Sequence, residues 1–175
     1  MKPRISILLF LICCSLAVSG QQPVISGMDV RDIACAPGSD WQSVINHAAG
    51  TMEMVNQNHN LHLKMWYERT SLSVRECLAD LMNREGLSTS YEPFPALVDH
   101  HDAMGVIAGC SEMRRPVKVL LFAVKNSDGF YVLRFKCPDE CFTEHLHQMQ
   151  QMISSIVIGN NKESFIYYAE KCRNS

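Results

Sequence analysis

Val117 to Lys125 (VKVLLFAVK) and Phe130 to Cys137 (FYVLRFKC) are two runs rich in valine, leucine and phenylalanine, separated by Asn126-Ser127-Asp128-Gly129. Apolar runs on either side of such turn chemistry predict two strands joined by a tight connection. The first run is almost unbroken in apolar residues, whereas a strand wetted on one face would alternate, so packing is predicted on both of its faces. That requirement calls for layers instead of a bare hairpin.

The amino-terminal residues add a compartment. Lys2 and Arg4 precede an apolar run from Ile5 to Val18, with Ser15, Ala17, Ser19 and Gly20 near its end. This is the layout of a secretory signal over residues 1–20, cut around Gly20. The run is short of the roughly 20 apolar residues that span a bilayer. The expectation is a secreted, extracellular chain with no membrane span after signal cleavage. A formal net charge of −2 over 175 residues points to neither nucleic acid nor anionic membrane as a partner. The remaining length suits one domain able to bury about 70% of its unfolded surface. Six cysteines lie beyond the signal segment: Cys35, Cys77, Cys110, Cys137, Cys141 and Cys172. An even count on the secretory route predicts three disulfides, each contributing about 2–4 kcal/mol, with fifteen pairings open.

Residues 21–38, polar with Pro23, Gly27, Pro37 and Gly38, read as an amino-terminal arm pinned by Cys35. Ser39-Asp40-Trp41-Gln42 fits a capping box, and Trp41, Val44, Ile45, Ala48, Met52 and Val55 then recur at helical spacing, predicting a first helix. A second is predicted after Tyr67, with Leu72, Cys77, Leu78, Leu81 and Met82 on its apolar side and Gly86 near its end. Ala96 to Ala103 reads as a short helix or loop between prolines and the strands. After Cys137, Pro138-Asp139 opens a third helix in which Phe142, Leu146, Met149, Ile153, Ile156 and Val157 share a face up to Gly159. A last short helix is expected within Asn160 to Ser175, fastened by Phe165, Ala169 and Cys172.

The order of these parts carries a resemblance. Ile45-Asn46-His47-Ala48 sits on the first predicted helix; Asn60-Leu61-His62, Met65-Trp66-Tyr67-Glu68 and Leu72 follow; Gly109-Cys110 precedes two strands, and the second ends on Cys137. This resembles the CAP superfamily of cysteine-rich secretory, antigen 5 and pathogenesis-related proteins, above all its divergent nematode secreted branch. The resemblance covers roughly Asp40 to Cys137. It implies an α+β fold, a small α-β-α sandwich with a carboxy-terminal β-hairpin, here followed by an extra helical tail and stapled by disulfides. The domain then runs over 39–137 and the helical extension over 138–175. The family's metal cleft uses two histidines and two glutamates in His-Tyr-Thr-Gln and Gly-Glu-Asn type motifs, which this sequence lacks. Ala49 also replaces the arginine of the family's Asn-x-x-Arg.

Candidate sites are weighed residue by residue. His59 and His62 offer two imidazoles, but zinc needs three or four donors and no HExxH accompanies them; they read as a chain corner whose turn uses Asn58 and Asn60 and whose aromatics Trp66 and Tyr67 fill a core. His100-His101-Asp102 are consecutive, so their side chains diverge in regular structure. Glu144-His145-Leu146-His147 places its histidines two apart, which a helix does not bring face to face. Met149 and Met152 read as core filling. No Gly-x-Ser-x-Gly or phosphate-cradling glycine motif occurs. No catalytic, metal or cofactor residue is therefore assigned. The function expected is a secreted, non-enzymatic CAP-like domain that binds an extracellular partner. The alternatives are a carrier for a lipid or other small apolar ligand, as the resemblance implies for some members, and a small secreted helical signalling or effector protein.

Overall fold

The two apolar runs pair as predicted and lie inside a wide antiparallel sheet. The computed structural model describes residues 24–28, 31–35, 40–46, 49–56 and 60–159. Strands β3 (Trp41–Asn46), β4 (Thr51–Asn56), β5 (Leu61–Arg69), β6 (Phe94–Val98), β7 (His101–Glu112), β8 (Arg115–Asn126) and β9 (Gly129–Pro138) form seven strands in the order β3-β4-β5-β9-β8-β7-β6. Every neighbour is antiparallel. A second sheet of three strands has the order β1 (Val24–Met28), β2 (Arg31–Cys35), β10 (Val157–Gly159). Two helices complete the described chain, α1 (Val74–Arg84) and α2 (Phe142–Ser154), the latter entered through a 3-10 turn at Asp139–Cys141.

The helix-rich α-β-α sandwich expected from the CAP-like pattern is thus corrected to a sheet-dominated fold. The first predicted helix is the β3–β4 hairpin. Its three- and four-residue spacing is coincidental, because Met52, Met54 and Asn56 are buried in strict alternation with half-buried Thr51, Glu53 and Val55, which is the period of a strand. Gly50, awkward in a helix, sits in the connecting turn with φ of +59°, where an L side chain would be strained. Trp41 and Gln42 of the expected capping box begin β3, so no helix starts there; Ser39 lies outside the described residues. The working capping box is Ser73-x-x-Glu76: the Glu76 amide donates to Ser73 Oγ at 3.3 Å, and the Ser73 amide donates to Glu76 Oε2 at 2.8 Å. Helix α1 buries Cys77, Leu78 and Leu81, but Leu72 precedes it and is exposed. Gly86 with φ of +63° ends it, and the Leu87 amide closes back on the Met82 carbonyl at 2.9 Å.

Ala96 to Ala103, read as helix or loop, spans the β6–β7 hairpin, and Gly109-Cys110 lies inside β7. A Cβ on Gly105 would meet the rings of Phe122 and Phe94, at 2.6 and 2.7 Å, where these stack edge to face across the position. The third predicted helix is shorter than expected. Phe142 and Met149 are buried on α2 as anticipated, together with His145 and Met152, but Val157 begins β10, which pairs with β2. The predicted helix within 160–175, the signal segment 1–20 and Cys172 lie outside the described residues.

The expected disulfides are also corrected: Cys35, Cys77, Cys110, Cys137 and Cys141 are free thiols. Register separates Cys110 from Cys137. Cys137 pairs with Lys118, which pairs with Gly109, so Cys110 points to the opposite side of the sheet from Cys137. Cys77 is on α1 and Cys35 on β2, its Sγ 3.7 Å from Met54 Sδ. Burial pushes the thiol pKa of Cys35 up to about 12 and those of Cys77 and Cys137 to about 11, in each case first by desolvation. These cysteines act as small apolar fillers.

Two cores result. On one side of the large sheet, Met52, Met54, Leu61, Leu63, Met65, Leu133 and Phe135 pack with Phe142, Met149 and Met152 of α2 and with Ile33 and Ile158 of the small sheet. On the other side, Cys77, Leu78 and Leu81 of α1 pack on Val106, Val119, Leu121, Ala123, Phe130 and Val132. Residues Leu120 to Val124 are all buried, in keeping with the coverage that their unbroken apolar run requires.

Candidate interaction face

Alternation along β5 places Leu61, Leu63 and Met65 in the first core and His62, Lys64, Trp66 and Glu68 on the other face. Registry then aligns Glu53 of β4 with Lys64, and Lys64 with Arg134 of β9; His62 aligns with Lys136. Because α1 lies over β7, β8 and β9, these β4 and β5 side chains stay half-buried. The outcome is a polar strip across the half of this face beside the helix.

The strip is organised by charge pairs. Glu53 accepts from Lys64 at 3.1 Å and lies 3.4 Å from His62 Nε2. Arg134 Nη1 meets Glu85 Oε2 at 2.5 Å, and Lys136 donates to both oxygens of Glu112 at 3.0 Å. Arg84 bridges Glu68 at 3.0 Å and Asp80 at 2.9 Å, while Trp66 Nε1 donates to the same Glu68 oxygen at 2.8 Å. The Arg134 guanidinium lies 5.9 Å from the Trp66 ring centroid, within cation–π range. Between these groups is a recess of about 250 Å³ lined by Thr51, Lys64, Trp66, Leu81, Arg84 and Glu85.

Titration follows the partial burial. Desolvation lowers the His62 pKa and outweighs the pull of Glu53, whose carboxylate lies 3.4 Å from Nε2. Burial works against ionisation of Glu53 as well, but Lys64 and His62 hold its carboxyl below the usual range. Among the described residues, His62 Nδ1 and Arg134 Nε are buried without a hydrogen-bond partner.

The residues singled out in the sequence do not converge. His62 sits near the start of β5, two residues after the turn residue Asn60 with φ of +51°; His59 is outside the described residues. Trp66 and Tyr67 do bury apolar area with satisfied tips, Trp66 on Glu68 and Tyr67 on Asp128, but they face opposite sides of β5. His100 is exposed in the β6–β7 turn, and His101 and Asp102 point to opposite faces of β7. His145 is buried on α2 while His147 is exposed and 3.0 Å from Gln151. Among the described residues, no three of His, Cys, Asp and Glu gather as a metal-binding group. The Trp66–Arg134–Glu85 cluster was not anticipated. Its signal was the alternation His62, Lys64, Trp66, Glu68 within LHLKMWYE; the partners Arg134 and Glu85 are fixed by registry and helix placement, which no local pattern contains.

No protein-family model matches the chain, and no curated protein matches it. Solved structures do. LpqN of Mycobacterium tuberculosis, involved in cell envelope biogenesis, is similar at a TM-score of 0.54 and 12% identity, over 81% of this chain and 87% of that one. The Ran-binding protein Mog1p of Saccharomyces cerevisiae is similar at a TM-score of 0.50 and 10% identity, over 71% and 88%. A protein of Bacteroides thetaiotaomicron is similar at a TM-score of 0.51 and 10% identity, over 75% of this chain but only 46% of its own length. Neither LpqN nor Mog1p is a CAP protein. At such identities the likeness is one of fold: this chain shares an architecture with LpqN and Mog1p.

Proposed function

We propose that this chain is an exported, non-enzymatic binding domain whose half-open sheet face docks an extracellular protein. The observation that carries the reading is the recess beside α1, lined by Trp66, Lys64, Arg84 and Glu85, with the Arg134 guanidinium within cation–π range of the same indole. Tryptophan and arginine are the side chains most enriched at binding hot spots. The carboxylates of the strip are each engaged by a cation, so the face offers a patterned surface and not a free acid or base. At about 250 Å³ with a charged rim, the recess falls below the roughly 300–1,000 Å³ of small-molecule sites and suits a single inserted side chain. That favours protein docking over carriage of a lipid. Export is supported by the pattern of residues 1–20 alone, because free thiols remove disulfides as an argument for it.

The test is a binding screen of the exported chain against extracellular proteins. We expect a partner whose affinity falls at least about tenfold on Trp66→Ala, the scale of a hot spot, and is unchanged by Leu97→Ala at an exposed position of edge strand β6, four strands away from β5. A stoichiometric apolar ligand extracted from native protein, with no protein partner found, would replace this reading with that of a carrier.

A further inference from the structure

Two hairpins of the large sheet close through two-residue turns whose central residues both have positive φ: Asp99 (46°) with His100 (64°), and Met113 (48°) with Arg114 (64°). This is the type I′ geometry, for which Asn-Gly is the favoured pair. Side chains such as these are strained there, and an observed strain of this kind points toward function when nothing internal accounts for it.

The first turn has an internal account. Asp99 Oδ2 accepts the Ile158 amide at 2.8 Å and ties the β6–β7 hairpin to β10 of the small sheet. The second has none. Met113 is 98% exposed, and among the described residues the side chains of Met113, Arg114 and Arg115 make no hydrogen bond or ion pair. Glu112, the acid beside them, is already held by Lys136, which leaves the two arginines uncompensated. The same Glu112–Lys136 bridge joins the tip to the polar strip.

We propose that the β7–β8 tip is a docking knob, in which Met113 enters an apolar socket on a protein partner and Arg114 and Arg115 meet carboxylates at its rim. An unbranched thioether adapts to an irregular socket and makes favourable contacts with aromatic rings. One methionine and two cations give only marginal hold on a lipid surface, where stable anchoring takes stronger signals, so a shaped protein pocket fits the chemistry better. The proposal rests on the reading that this chain docks an extracellular protein.

A photo-cross-linking residue placed at exposed Ser111 in the full chain tests it, with the same residue at Glu53 on the strip as a reference and extracellular protein as the target. We expect a discrete adduct from position 111 that falls at least tenfold with either Met113→Asn plus Arg114→Gly or Arg114→Glu plus Arg115→Glu. The first pair should at the same time raise the urea midpoint, since it installs the favoured turn; a lowered midpoint removes the strain argument and overturns the proposal. An adduct from 111 that survives both pairs, or one from 53 alone, overturns the knob and leaves the docking reading standing. No adduct from either position overturns both. Binding to phosphatidylcholine–phosphatidylserine vesicles that is lost with Arg114→Glu plus Arg115→Glu, with no protein adduct, puts a membrane in the partner's place and overturns the proposal as stated.

Discussion

Among the described residues, the core on one face of the large sheet draws buried side chains from all seven strands, from Trp41 on β3 to Val98 on β6, whereas the buried sheet residues of the core on the other face come from β7, β8 and β9. The difference shows how one alternating strand can serve two purposes. On β5 the odd positions Leu61, Leu63 and Met65 are fully buried under α2 and the small sheet, while the even positions hold a lattice of charge pairs around Trp66. Helix α1, eleven residues long, is too narrow to roof the whole second face. What it leaves uncovered must tolerate water, and His62, Lys64, Glu53 and Arg134 do so by pairing or by staying half-buried. The larger core therefore lies on one side, and the charge pairs lie beside the smaller core on the other.

Three substitutions sharpen or break that contrast. The largest effect belongs to the face with the larger core: Phe135→Ala, at a position with no exposure, should cost about 3–5 kcal/mol in denaturant unfolding. A loss under about 1 kcal/mol would mean that this core is loosely packed. On the open face, Glu85→Ala leaves the partly buried Arg134 without its 2.5 Å partner and should cost about 1 kcal/mol; equality with Phe135→Ala would erase the distinction. The smallest effect is pH-linked. Burial lowers the His62 pKa in the fold, so the unfolded chain takes up a proton near pH 6.5 that the folded chain resists. More protons on the unfolded state mean that stability falls as pH drops through the window between the two values. His62→Gln should make that decline shallower, as read by urea midpoints from pH 7.5 down; an unchanged slope would show that this imidazole is already solvated.

The parts that could be read from the chain are those whose local signal is redundant. Val117 to Lys125 and Phe130 to Cys137 are long, β-branched and divided by turn residues, so their pairing follows from local chemistry. The apolar stripe of Cys77, Leu78 and Leu81 likewise belongs to a helix. The stretch from Trp41 to Val55 was ambiguous, because six apolar residues satisfied a helical period that Met52, Met54 and Gly50 obey better as a hairpin. The cysteines misled for a different reason: an even count says nothing about which side of a sheet each thiol faces.

By itself, the amino-acid sequence determined that a covered sheet exists, that a helix follows β5, and that LHLKMWYE alternates between apolar and polar side chains. Only the tertiary structure decided that Trp41–Asn46 and Thr51–Asn56 are strands, that five thiols are unbridged, and that Arg134 meets both Glu85 and the Trp66 ring. Short segments can satisfy either period, and the choice between them is made by ladder hydrogen bonds to strands far away in the chain. Those bonds, such as β5 on β9 across some seventy residues, are properties of registry, which local composition does not carry.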